Sequence, residues 1–84
     1  MAKGVIRYWA AAKAAAGVDE EPYDAGTLAE ALDNARRTRD AEFARVVARS
    51  SFLIDGNPVG SRPHTSVELP DGGTLEVLPP FAGG

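Results

Sequence analysis

The chain has 84 residues, twelve of them acidic and nine basic, and its formal net charge is −3. So short a chain makes one domain with no room for a deep enclosed pocket, so its function is expected on a surface, a loop or an end. The acidic balance argues against a general nucleic-acid binder, and the absence of cysteine excludes a disulfide framework and a thiol nucleophile.

The first element is "VIRYW", Val5 to Trp9, rich in β-branched and aromatic residues and read as a strand. Ile6 and Tyr8 share one face of it, and Val5, Arg7 and Trp9 share the other. "AAAKAAAG" follows as a short helix, with Gly17 suited to the left-handed position that ends it. "VDEEPYDAG" is a second strand, placed at a sheet edge because Pro22 has no backbone donor. Its acidic run, Asp19 to Glu21, reads as solvated edge protection.

Thr27 and Glu30 have the spacing of a capping box at the start of the main helix. Leu28, Ala31, Leu32 and Ala35 then recur as an apolar stripe. "DAEFARVVARS" repeats the pattern, with Asp40 able to cap and Phe43, Val46 and Val47 facing one way. The five arginines between Arg36 and Arg49 read as a solvated helical face. "SFLIDGNPV" is a strand running into a tight turn at Asp55-Gly56. A short strand at Val67 to Leu69 and a turn at Asp71 to Gly73 precede the last strand, "TLEVL". In that strand Leu75 and Val77 point one way, and Thr74, Glu76 and Leu78 the other.

This order implies an α+β domain over residues 1–78: a mixed sheet of four to five strands covered by one main helix, with a short extra helix after the first strand. The main helix can act as a crossover that lets the last strand lie parallel to the first. His64 sits beside Pro63 with no second histidine and no cysteine, so no metal site is expected. No glycine-rich phosphate loop and no Ser-His-Asp set is present. The N-terminal apolar run carries Arg7 and Lys13, so it does not read as a signal peptide. No stretch approaches the ~20 apolar residues needed to cross a bilayer. A cytoplasmic protein without membrane or nucleic-acid partners is expected.

The sequence closes on "LPPFAGG". Pro79 and Pro80 must stop the last strand and favour a stiff extended path. Residues 79–84 reach at most about 20 Å. Gly83 and Gly84 let a narrow channel close around bare backbone. The tail can thus deliver a terminal carboxylate into another protein.

Two segments, "VIRYWAAAKAAAG" and "LPDGGTLEVLPPFAGG", together with the helix from Thr27, resemble the ubiquitin-like β-grasp sulfur carriers of the MoaD/ThiS superfamily. The resemblance is strongest to the small subunit of molybdopterin synthase, the MoaD family. It implies a non-catalytic subunit whose Gly84 carboxylate is adenylated by an enzyme resembling the ubiquitin activators. Sulfur from a donor protein would then replace AMP, leaving a thiocarboxylate. The tail would enter a large, MoaE-like catalytic subunit and give its sulfur to a pyranopterin precursor of the molybdenum cofactor. No bound cofactor is implied, only transient AMP and sulfur on Gly84.

The same resemblance assigns Pro79, Pro80, Phe81 and Ala82 to threading the tail, and Gly83 to clearance. Trp9, Lys13 and Leu78 match family positions that dock the partner subunit on the outer sheet face. Lys13 stands where arginine is commoner, and Phe81 is bulkier than the usual aliphatic residue. Three alternatives remain open from the residues: a carrier for thiazole or cysteine synthesis, a ubiquitin-like modifier linked through Gly84, and a non-covalent β-grasp binding module.

Overall fold

The structure, a computed structural model, describes residues 1–80. In chain order the elements are β1 (Ala2–Tyr8), α1 (Ala10–Ala16), β2 (Glu20–Ala25), α2 (Leu28–Arg36), α3 (Ala41–Arg49), β3 (Ser51–Ile54), β4 (Asn57–Pro58), a 3-10 turn (His64–Ser66) and β5 (Thr74–Leu78). The five strands form one sheet in the order β2-β1-β5-β3-β4. β1 and β5 are parallel and the other pairs are antiparallel. The last strand therefore lies beside the first, in the middle of the sheet. Pro22 sits in the edge strand β2, where its missing donor costs no ladder bond.

One face of the sheet carries the core. Ile6, Tyr8, Phe52, Leu75 and Val77 pack inward against Leu28, Leu32, Phe43 and Val47 of the helices. Burying each such large side chain contributes about 1.5–3 kcal/mol. The strand alternation read from the sequence holds: Ile6, Tyr8, Leu75 and Val77 are buried, and Arg7 and Trp9 are exposed. Gly17 ends α1 with φ of 81° and donates its N–H to the Lys13 carbonyl. The Asp55-Gly56 turn has positive φ at both residues, 50° and 83°, which matches the twist of the β3-β4 hairpin.

Beyond α1 the helical cover is two capped segments, the main helix expected from Thr27 and the repeat of its pattern expected from Asp40. α2 stops at Arg36, and a separate helix, α3, begins after Asp40. The reason is local: Thr27 Oγ1 accepts the Glu30 N–H, and Asp40 Oδ1 accepts the Phe43 N–H, so each helix has its own cap. The strand expected at Val67 to Leu69 is reduced to one bridge between Glu68 and Thr27. Its backbone is committed elsewhere. The Val67 carbonyl accepts the Leu28 N–H at the start of α2, and the Leu69 N–H donates to the Gly26 carbonyl. The segment closes a helix end instead of joining the sheet.

The acidic run and the arginine stretch were both expected to be solvated, and each has one exception. Glu21 faces inward on β2, where it accepts the Tyr8 hydroxyl and pairs with Arg39. The Arg39 side chain is only 15% exposed. Its guanidinium donates to the Ala16 carbonyl at 3.2 Å and the Ala35 carbonyl at 3.0 Å, the ends of α1 and α2. It also lies 4.9 Å from the Phe43 ring centroid. One side chain thus ties β2 and all three helices together. Burial, reinforced by the bond to Glu21, raises the Tyr8 pKa far above the ordinary phenol value.

Candidate functional site at the exit of the tail

β5 runs through the middle of the sheet and ends at Leu78, level with the end of β1. Pro79 is buried and Pro80, the last described residue, is exposed. Phe81, Ala82, Gly83 and Gly84, assigned above to threading, clearance and sulfur carriage, lie outside the described residues.

The helices and the 3-10 turn cover one face of the sheet, and among the described residues the other is open. On the open face the register aligns Glu20, Arg7, Glu76, Leu53 and Pro58 in one row across all five strands. Arg7 Nε lies 3.7 Å from Glu20. The next row toward the exit holds Leu78 and Ser51, which are direct partners. Trp9 continues β1 beside them, its N–H bonded to the Val77 carbonyl at 3.2 Å. Val5, Leu53 and Leu78 are half-buried there, and the Trp9 side chain is exposed.

Trp9 and Leu78, expected to dock a partner, therefore come together at the end of β5, beside Pro79. Trp9 is fixed from two sides. Its indole Nε1 donates to Glu76 Oε1 at 3.1 Å, and the Arg7 guanidinium lies 5.0 Å from its ring centroid. Lys13 is placed differently. It lies on exposed helical surface of α1 and its ammonium is 3.0 Å from Asp19 Oδ1. Neither Arg7 nor Glu76 was singled out from the sequence as a site residue. The available signal was their shared parity with Trp9 and Leu78 on neighbouring strands.

The remaining surface offers little chemistry. An open groove of about 480 Å³ lies between α2, α3 and the β3-β4 hairpin, with Leu32, Val47, Phe52 and His64 in its lining. His64 packs edge-on against Phe52 at 5.1 Å between centroids. Among the described residues no three His, Cys, Asp or Glu side chains gather as a metal site. None of the described helices is long and apolar enough to cross a membrane.

No family model matches the sequence, and no curated protein matches it. Solved structures do match. Small archaeal modifier protein 1 from Methanosarcina acetivorans superposes with a TM-score of 0.83 at 22% identity, over 100% of this chain and 98% of that one. A chain of the BexX/CysO complex of Amycolatopsis orientalis gives 0.77 at 20% identity, over 96% and 99%. A chain of the complex of subunits 1 and 2 of molybdopterin-converting factor from Helicobacter pylori gives 0.68 at 16% identity, over 98% and 99%. These end-to-end superpositions, with the order β2-β1-β5-β3-β4 and the parallel central pair, give the chain the ubiquitin-like β-grasp fold.

Proposed function

We propose that the chain is a sulfur carrier that delivers its cargo on the Gly84 carboxylate, and that it serves molybdopterin synthesis. The observation that carries this reading is the placement of β5. A central strand, locked on both sides, ends beside an uncovered apolar corner and releases the chain through Pro79-Pro80. Fully extended, residues 80–84 would span at most about 17 Å. A terminal carboxylate on such an arm can enter a second protein while the domain stays outside.

The chemistry follows from what a carboxylate lacks. It is a poor electrophile, because its charge opposes attack and oxide is a poor leaving group. Attack of the Gly84 carboxylate on the α-phosphorus of ATP expels pyrophosphate and creates an acyl adenylate. The terminal sulfur of a persulfide on a donor protein then displaces AMP, and a thiol attacks the donor-side sulfur of the resulting acyl disulfide, leaving the donor in a disulfide and releasing the terminal sulfur on Gly84. The resulting thiocarboxylate is ionised at neutral pH and nucleophilic enough to attack a pyranopterin held by a large partner subunit. The carrier supplies no acid, base or metal to this step. Its part is reach, stiffness and clearance, from Pro80 through Gly83. Molybdopterin is preferred because a subunit complex of molybdopterin-converting factor includes a chain of this fold along its whole length.

A second reading shares the first chemical step. The modifier from Methanosarcina has the same fold, and an adenylated Gly84 could equally be joined to a lysine amine. Both readings need a free carboxylate on Gly84. Adding residues after Gly84 is expected to abolish rescue of a molybdenum-cofactor-deficient strain, whereas an N-terminal extension leaves rescue intact. Rescue by an uncleaved C-terminally extended chain contradicts the carrier reading. Rescue lost together with the fold, seen as a changed circular dichroism spectrum, contradicts the placement of the tail outside the core.

A further inference from the structure

Among the described residues, Trp9 is the only aromatic side chain left exposed, at 40% of its surface. An exposed indole is ordinarily free to sample rotamers, but this one is held at three points. Glu76 accepts its Nε1–H, Arg7 lies against its ring, and its backbone N–H is bonded to β5. Ala10 follows with φ of 48°, a left-handed turn that swings the chain out of the strand immediately after Trp9. Arg7 is itself steadied by Glu20 on the neighbouring strand.

We infer that Arg7 and Glu76 are positioning residues that hold Trp9 as a preformed anchor for the protein that accepts the tail. This rests on the carrier reading above. Tryptophan is enriched where interface energy concentrates, and ordering it in advance removes entropy that association would otherwise have to overcome. The occupant follows from reach. A protein that closes on Gly84 must come within about 17 Å of Pro80, and Trp9 and Leu78 stand at that exit. On the open face Leu78 stands level with Trp9 on the next strand, with Leu53 one row and Val5 two rows further back, covered by no described element of the domain. The matching surface is an apolar pocket for the indole beside a narrow channel for the tail. A donor or acceptor on its rim would meet the Arg7-Glu76 pair.

The probe is the adenylating enzyme encoded in the same genome, because adenylation precedes both sulfur transfer and protein modification. The readout is ATP-dependent adenylation of Gly84 as a function of carrier concentration. Glu76→Thr keeps a good strand residue but cannot reach the indole, and Glu76→Gln keeps an acceptor without the charge. Glu76→Thr and Arg7→Ala are expected to raise KM about tenfold with kcat unchanged, and Glu76→Gln to stay within about twofold. Hydrogen exchange of the Trp9 indole N–H is expected to quicken in Glu76→Thr, with an unaltered melting temperature. Wild-type KM in Glu76→Thr and Arg7→Ala, or in Trp9→Ala, overturns the inference. So does a fall in kcat equal to the rise in KM, which would indicate a role in the chemical step. A wild-type chain that is never adenylated overturns the carrier reading itself, and the two failures are therefore distinct.

Discussion

Arg39 shows how much a single side chain can organise in a small domain. Both of its η nitrogens face Glu21, with Nη1 2.9 Å from Oε2 and Nη2 3.0 Å from Oε1. The hydrogen bond to Glu21 strengthens the protonated guanidinium and raises its pKa. A fully exposed pair would contribute at most about 1 kcal/mol, and breaking a fully buried one costs about 3–5. This pair is half-buried, so Arg39→Ala is expected to cost about 2–3 kcal/mol. A domain of this size holds only about 4–13 kcal/mol in total. Thermal unfolding should therefore show a drop of about 10–20 °C. The double change Arg39→Met with Glu21→Leu should recover part of that loss, because no charge is left unpaired. A drop of only one or two degrees in Arg39→Ala would remove the latch from the account. Neither partner was legible as such in the sequence. The run Asp19 to Glu21 gives no sign of which carboxylate turns inward until β2 is in register, with Glu21 on the parity of the buried Tyr23 and Ala25.

At the scale of elements, local chemistry explains most of what forms and where it stops. The side-chain oxygens of Thr27 and Asp40 each accept the backbone N–H of the third residue onward, and each starts a nine-residue helix. Asp40→Ala is expected to lower stability by about 1 kcal/mol, read from denaturant unfolding with an unchanged slope. A neutral result would mean that packing of Phe43 and Val47 alone sets the start of α3. The turn at Asp55-Gly56, the stop at Gly17 and the edge position of Pro22 were all readable, because glycine and proline act through their own backbone limits. The segment Val67 to Leu69 was not. Its apolar alternation suits a strand, but its backbone partners are the first turn of α2 and the Gly26 carbonyl, which lie about forty residues earlier in sequence. A pattern of side chains cannot report which distant backbone groups need closing. Gly4 illustrates a related gap. A Cβ there would run into the Gly73 carbonyl and the Tyr23 ring, and only the assembled sheet reveals that crowding.

At the scale of the whole molecule, the central parallel pair was legible because one fact constrains it. A helix between the early and late strands allows the last strand to return parallel to the first, and β1 and β5 do pair that way. The candidate site was legible in its anchor points, since the alternation of β1 and β5 puts Trp9 and Leu78 on the outer side. The Arg7-Glu76 clamp on Trp9 required the cross-strand register, which a single sequence does not contain. Lys13 was placed by resemblance; in the structure it sits on α1 with its ammonium against Asp19, just before β2. The architecture that results holds β5 between β1 and β3, up to the prolines that precede the last four residues. The carrier reading concerns the carboxylate of Gly84, and mass spectrometry addresses it directly. Intact mass of the chain from a host that holds its activating enzyme should show one oxygen replaced by sulfur, localised by fragmentation to Gly84. A chain from that host that carries only an unmodified terminal carboxylate, even when the activating enzyme and sulfur donor are supplied in excess, would contradict it.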